Sequence, residues 1–224
     1  MPKVVILVTA APDLNGHKTG LWLEECAAPY YIFKDKGYEV VLASPSAGPV
    51  PIDQVSVSDD FFTDDSKKFL HDAEAVGALS HSVELGSIDM STVDCIYLAG
   101  GHGACVDFIN NPSVTKAVQA IYAANKTVAS VCHGVIALAD CHQLDGTPLV
   151  KGRKVTGFSN SEEEAVELTE VVPYLLESKL KEQGCEYEKG ENWSSKVCVD
   201  GNLITGQNPQ SSAEVARTIV EILG

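Results

Sequence analysis

Arginine is the scarcest charged residue in this chain: only Arg153 and Arg217 occur among 224 residues, and acidic side chains outnumber basic ones 31 to 16. A formal net charge of −15 excludes a polyanionic partner, because nucleic acids are held by basic patches and counterion release. Anionic membrane surfaces are excluded on the same ground. With two guanidinium groups the chain is also poorly equipped for bidentate clamps on phosphate or carboxylate. An uncharged small-molecule substrate fits better. The longest N-terminal apolar run, Val4 to Ala11, is too short to cross a bilayer and lacks a signal-peptide cleavage pattern, so a cytoplasmic location is expected. Seven cysteines form no C-x-x-C pair and the six histidines no H-x-x-x-H spacing, so reduced thiols and no metal are expected. No internal repeat or low-complexity segment is present.

What the chain does contain is alternation. Lys3 to Thr9 is a continuous Val/Ile/Leu run, the mark of a strand buried on both faces. Apolar residues at helical spacing follow over Thr19 to Lys36, closed by Gly37 as a C-cap before a strand at Tyr38 to Ala43. Further buried strands are expected at Cys95 to Leu98 and Thr127 to Val131, with a helix over Ser113 to Asn125 between them. The pattern predicts an α/β fold with a mostly parallel sheet. Val50 to Ser91 breaks the rhythm: it carries Asp59-Asp60, Asp64-Asp65 and a helical stretch over Lys67 to Leu79. It reads as an insertion, at about residues 50–91, that covers one edge of a single domain spanning 1–224, its acidic residues facing water. Arg153 to Phe158 reads as another strand. Glu162 to Glu164 opens a helical region that Pro173 interrupts. Val197 to Thr205 reads as a hairpin around Asp200-Gly201, and Ser211 or Ser212 as the cap of a final helix.

The run Val131-Cys132-His133-Gly134 stands out, because an apolar strand stops at a cysteine and a helical segment over His133 to Ala139 begins at once. A thiol at a helix N-terminus meets unpaired N–H groups and the positive end of the macrodipole, so its pKa is expected to be lowered. The same amides can hold an oxyanion when the sulfur attacks a carbonyl. Cys141-His142 repeats the dipeptide at the far end of that segment, where the dipole works against a thiolate. Cys132 is therefore the candidate nucleophile and Cys141 is not.

Ligands bind outside the carboxyl ends of parallel strands. Four loops lie there: Ala10 to Gly20, leading into Glu24 and Glu25; Ala99-Gly100-Gly101-His102-Gly103; Cys132-His133; and Ser159 to Glu164. Glu25 lies four residues before Pro29 on an apolar stretch, where a carboxylate in a partly apolar pocket would have a raised pKa and could shuttle a proton.

Lys18-Thr19-Gly20 with Glu25 downstream, the run from Ala99 to Gly103, Val131 to Gly134, and Thr156-Gly157-Phe158 with its acidic cluster together resemble the ThiJ/PfpI superfamily. This is a branch of the class I glutamine-amidotransferase-like fold, and the likeness is greatest to its glutathione-independent glyoxalase III and heat-shock chaperone members. It implies a flavodoxin-like sheet sandwiched by helices, with Cys132 as nucleophile, His133 beside it and Glu25 against the thiol. It implies a third acid from Glu162 to Glu164, of which the spacing from Phe158 selects Glu163, and an oxyanion hole from the amides of Gly101 and His133. The implied activity is conversion of a small neutral α-oxoaldehyde, methylglyoxal, to lactate by a lyase without cofactor, in a homodimer. A holdase chaperone or a cysteine redox sensor is the alternative, with peptidase and deglycase activities behind it.

Overall fold

The computed structural model describes residues 1–224. Its centre is a seven-stranded sheet in the order Val197–Asp200, Leu203–Gly206, Thr127–Val131, Cys95–Leu98, Lys3–Leu7, Glu39–Ser44, Val83–Glu84. Every neighbouring pair is parallel except the hairpin Val197–Asp200 with Leu203–Gly206. The three central strands are almost wholly apolar: Val4 to Leu7, Cys95 to Leu98 and Val128 to Val131 are buried throughout, as expected for strands covered on both faces, and the hydroxyl of Ser130 among them donates to the Leu98 carbonyl. Helices flank the sheet. Glu24–Asp35 packs on Ser212–Leu223, and Pro112–Ala123 lies against Cys95–Leu98 and Thr127–Val131.

Cys95–Leu98 and Thr127–Val131 stand where the apolar runs place them. The first helix is shorter than its periodicity predicts, starting at Glu24 rather than Thr19, because the chain from Leu21 to Leu23 follows the segment Pro51 to Asp53 instead: Leu21 pairs with Ile52 across an isolated bridge. The inserted region supplies the edge strand Val83–Glu84, and its single expected helix is two, Asp64–His71 and Ala73–Ser80. Asp72 is the break. Its extended backbone ends the first helix while its carboxylate accepts from the Glu74 and Ala75 amides to start the second.

Arg153 to Phe158 contributes only Lys154–Val155, paired with Glu186–Tyr187 in a separate two-stranded ribbon and not in the main sheet. The last helix begins at Ser212, but neither serine accepts from a first-turn amide; Ser211 instead bonds Lys196 and Asn208, and Ser212 donates to the Pro209 carbonyl. No helix is long and apolar enough to cross a membrane.

Candidate active site

Strand Thr127–Val131 delivers Cys132 to the carboxyl end of the sheet, and the chain then turns abruptly. Cys132 has φ 55°, a left-handed conformation that a side chain other than glycine adopts at a cost of about 1–3 kcal/mol. The following turns, Cys132–Asp140, are 3₁₀ rather than α-helical. Cys132 is 4% exposed, with Glu25 beside its sulfur and the His133 amide directed at it.

The expectation of a depressed thiol pKa is overturned. Burial pushes the Cys132 thiol well up, and the neighbouring Glu25 carboxyl adds to that, against the smaller opposing help of the His133 N–H. The thiol of the resting site is neutral. A helix terminus offers its field to a thiolate only where water or a counter-charge also supports the anion, and here desolvation dominates. Cys141, by contrast, donates to the Ala137 carbonyl at 3.2 Å, and burial lifts its pKa to about 12.

Glu25 sits in the second turn-forming position of its helix and is wholly buried. The Gly100 N–H donates to its Oε2 at 2.6 Å, whereas its Oε1 has no hydrogen-bond partner, and the carboxyl group stands beside the Cys132 thiol. Burial raises its pKa to about 8, so it is a neutral acid near pH 7, held beside the sulfur.

His133 completes the cluster. Its Nδ1 stands 3.6 Å from Cys132 Sγ, and its Nε2 is 2.6 Å from Glu163 Oε2. Of the three consecutive glutamates, Glu163 alone reaches the histidine. Glu162 is buried as the reciprocal partner of the Ser159 cap and also accepts from the Trp193 amide and Asn208; Glu164 is exposed. The helix Asn160–Ala165 thus owes its orientation to Glu162 and its reach into the site to Glu163. Burial works to raise the Glu163 pKa, but His133 and His102 outweigh it and hold the carboxylate well below its usual range.

His102 was part of the glycine-rich run but carried no assigned role. Its Nε2 lies 2.8 Å from Glu163 Oε1, and its ring centroid is 4.0 Å from that of His133. One carboxylate therefore holds two imidazoles. The donor atoms of His102, His133 and Glu163 lie within 4.8 Å of one another, yet the two N···O separations are those of direct hydrogen bonds and leave no space for an ion between the partners. The spacing of Gly100-Gly101-His102 at a strand end was the available signal for His102.

Gly101 shapes the remaining wall. Its φ of 93° and a position where a Cβ would stand 2.3 Å from the Gly20 carbonyl oxygen admit no other residue without displacement. Its amide makes no hydrogen bond within the fold. Around the cysteine is a cavity of about 480 Å³ lined by Trp22, Phe61, Phe158 and Trp193, with Asp53, His17, His102 and His133 supplying polarity. Trp22 packs edge-on to Phe61 at 5.2 Å and Phe158 lies 5.9 Å from Trp193. No lysine or arginine lines it.

Comparison with known proteins gives the ancestry of this arrangement. The model of the DJ-1/PfpI family matches residues 19–222. The chain belongs to the DJ-1/PfpI family. Its DJ-1/PfpI relatives include a Saccharomyces cerevisiae protein named glutathione-independent glyoxalase HSP31, 27% identical over 99% of this chain and 98% of its own. The crystal structure of the 24 kDa rapid encystment protein of Francisella tularensis superposes with a TM-score of 0.95 at 38% identity, covering all of both chains. That of glyoxalase III from Candida albicans superposes at 0.90 with 28% identity, covering 98% of this chain and 96% of its own. The DJ-1/PfpI sheet and its flanking helices are thus shared over the full length.

Proposed function

We propose that the protein is a glutathione-independent glyoxalase that converts methylglyoxal, a small neutral α-oxoaldehyde, to lactate through a covalent adduct on Cys132. The observation that carries the reading is the placement of one neutral thiol between a base, His133 Nδ1 at 3.6 Å, and a buried acid, Glu25, at the floor of a cavity free of cationic side chains. Full-length relatives named as glyoxalases support it.

The thiol proton passes to His133 as Sγ adds to the aldehyde carbon, and the hemithioacetal oxygen lies against the amides of Gly101 and His133. Glu163 orients His133 and stabilises its charged form. Neutral Glu25 gives its proton to the alkoxide of the adduct, and its carboxylate, or His133 once it has passed on the thiol proton, then moves the proton from the former aldehyde carbon: the C–H electron pair closes an enediol, and protonation of the adjacent carbon gives a 2-hydroxyacyl thioester. The oxidation of one carbon is balanced by reduction of its neighbour, so no external redox partner enters. Water cleaves the thioester, releasing the hydroxy acid and restoring the thiol.

A buried, neutral thiol favours turnover over sensing, because oxidation selects exposed thiolates. The reading extends to a single-domain chain in the cytoplasm, as length and the N-terminal sequence suggest, acting as the homodimer that the family resemblance implies. Lactate formation from methylglyoxal without added metal or thiol, measured for the wild type and Cys132→Ala, tests the activity. The wild type is expected to form lactate and the variant none. Undiminished turnover by Cys132→Ala overturns the assignment.

A further inference from the structure

The Glu163 carboxylate leaves one base without a task. An ionised carboxylate only accepts hydrogen bonds, so the imidazole nitrogens facing it, His133 Nε2 at 2.6 Å and His102 Nε2 at 2.8 Å, both carry hydrogen. In the neutral imidazole the Nδ1 is then the lone pair. That of His133 is engaged with the Cys132 thiol. That of His102 meets no hydrogen-bonding group of the protein, and the His102 ring forms part of the cavity wall.

Depth separates the candidate bases. Glu25 is 0% exposed, His133 1% and Glu163 2%, while His102 is 8% exposed. His133 is also sandwiched between the rings of His102 and Phe158, at 4.0 and 4.4 Å. A water molecule approaching an acyl group on Cys132 arrives from the cavity, where His102 is the more exposed of the two imidazoles that Glu163 holds beside the sulfur.

We infer that His102 is the general base of the final step, accepting through Nδ1 a proton from the water that attacks the 2-hydroxyacyl thioester. The inference rests on the glyoxalase reading. The carbonyl carbon gains the water oxygen, one water proton goes to His102, and collapse of the tetrahedral adduct breaks the C–S bond with its electron pair on sulfur. The proton held by His102 returns to the sulfur, and the released acid ionises in solvent. His133 thus serves the formation of the adduct and His102 its breakdown, with Glu163 fixing the tautomer of both.

The test is rapid acid quench of methylglyoxal turnover by wild type and His102→Gln, with intact-mass and hydroxamate analysis. A thioester survives the quench and yields a 2-hydroxy hydroxamate with hydroxylamine, whereas a hemithioacetal dissociates. His102→Gln is expected to form about one equivalent of thioester per Cys132 and then turn over roughly 10²- to 10³-fold more slowly than wild type. Alkylation of Cys132 by iodoacetamide at the wild-type rate certifies an intact nucleophile, and His102→Asn should behave alike. Wild-type turnover by His102→Gln, or slow turnover with no thioester trapped, overturns the inference while leaving the glyoxalase reading standing. Failure of the wild type to form any hydroxy acid overturns both.

Discussion

Replacing Glu25 by glutamine should make the protein more stable and less active, and the gain should grow with pH. Burial raises the Glu25 pKa from 4.5 to about 8. The folded state therefore holds a proton that the unfolded chain releases between those values, and folding stability falls as pH rises through that window. The penalty is about 1.4 kcal/mol for each pH unit above the unfolded value, ending where the folded group itself ionises. It comes to less than about 1 kcal/mol near pH 5, roughly 3 near pH 7 and roughly 5 near pH 9. Glutamine cannot ionise, and its carbonyl can still accept from the Gly100 N–H that now donates to Oε2 at 2.6 Å. Its amide would face the thiol less favourably, but that offset is independent of pH. Urea unfolding of both proteins at the three pH values is the assay: the difference in stability should widen steadily toward alkaline pH, while lactate formation falls about 10²- to 10⁴-fold. A difference that is flat in pH would refute the claim that a buried, proton-holding carboxyl stands beside Cys132.

Three other substitutions probe other parts of the site. Gly134→Ala would place a Cβ 2.4 Å from the Leu98 carbonyl oxygen, so a loss of about 1–3 kcal/mol or more in urea unfolding is expected, with slower alkylation of Cys132 as the elbow is displaced. Glu163→Gln should cut lactate formation about 10²- to 10⁴-fold. Because the folded carboxylate titrates below its usual range, its contribution to stability is full above the unfolded value and lost as pH falls; the wild-type advantage over Glu163→Gln, read by urea unfolding, should shrink on acidification. Trp193→Ala removes an aromatic wall 5.9 Å from Phe158, so the KM for phenylglyoxal should rise about 10-fold or more while that for methylglyoxal changes little.

The parts of this fold that were legible in the sequence are those that local chemistry decides alone. Cys95–Leu98 and Thr127–Val131 are continuous apolar runs that only a doubly covered strand accommodates, and the Asp200-Gly201 turn announces its hairpin. The cluster of Cys132, His133, Glu25 and Glu163 was reached by placing residues at strand ends and by family resemblance. Where reading failed, a distant partner had overridden a local preference. Leu21 to Leu23 carry helical periodicity, but Leu21 pairs with Ile52 while the Trp22 and Leu23 amides donate to the Gly100 carbonyl and the Ser56 hydroxyl, and Asp72 sits within a helical pattern yet caps a second helix. The Ser159/Glu162 capping box is a local pattern, but the hold of Glu162 on Trp193 and Asn208 was illegible because these lie 31 and 46 residues away.

The thiol pKa is the most instructive failure, since the reasoning about the helix terminus was sound but incomplete. A macrodipole contributes at most about 2 kcal/mol, whereas removing a charge from water costs several, so burial decides the sign unless a cation is present. No lysine or arginine lines the cavity, and the Glu25 carboxyl beside the sulfur is itself an acid. In the proposed mechanism the anion is accordingly made when substrate arrives, by transfer to His133. That arrangement explains why position outweighs the dipeptide. Cys141-His142 has the same two residues, but Cys141 ends its helical turns with φ −91° and its thiol bonds a backbone carbonyl, whereas Cys132 begins them at φ 55°, the strained turn that sets its sulfur beside both a base and an acid. The strain is maintained by flanking structure: the parallel ladder up to Val131 on one side and the close seat of Gly134 on the Leu98 carbonyl on the other. Loss of either anchor would let Cys132 relax toward the ordinary backbone of Cys141, with the sulfur turned from His133.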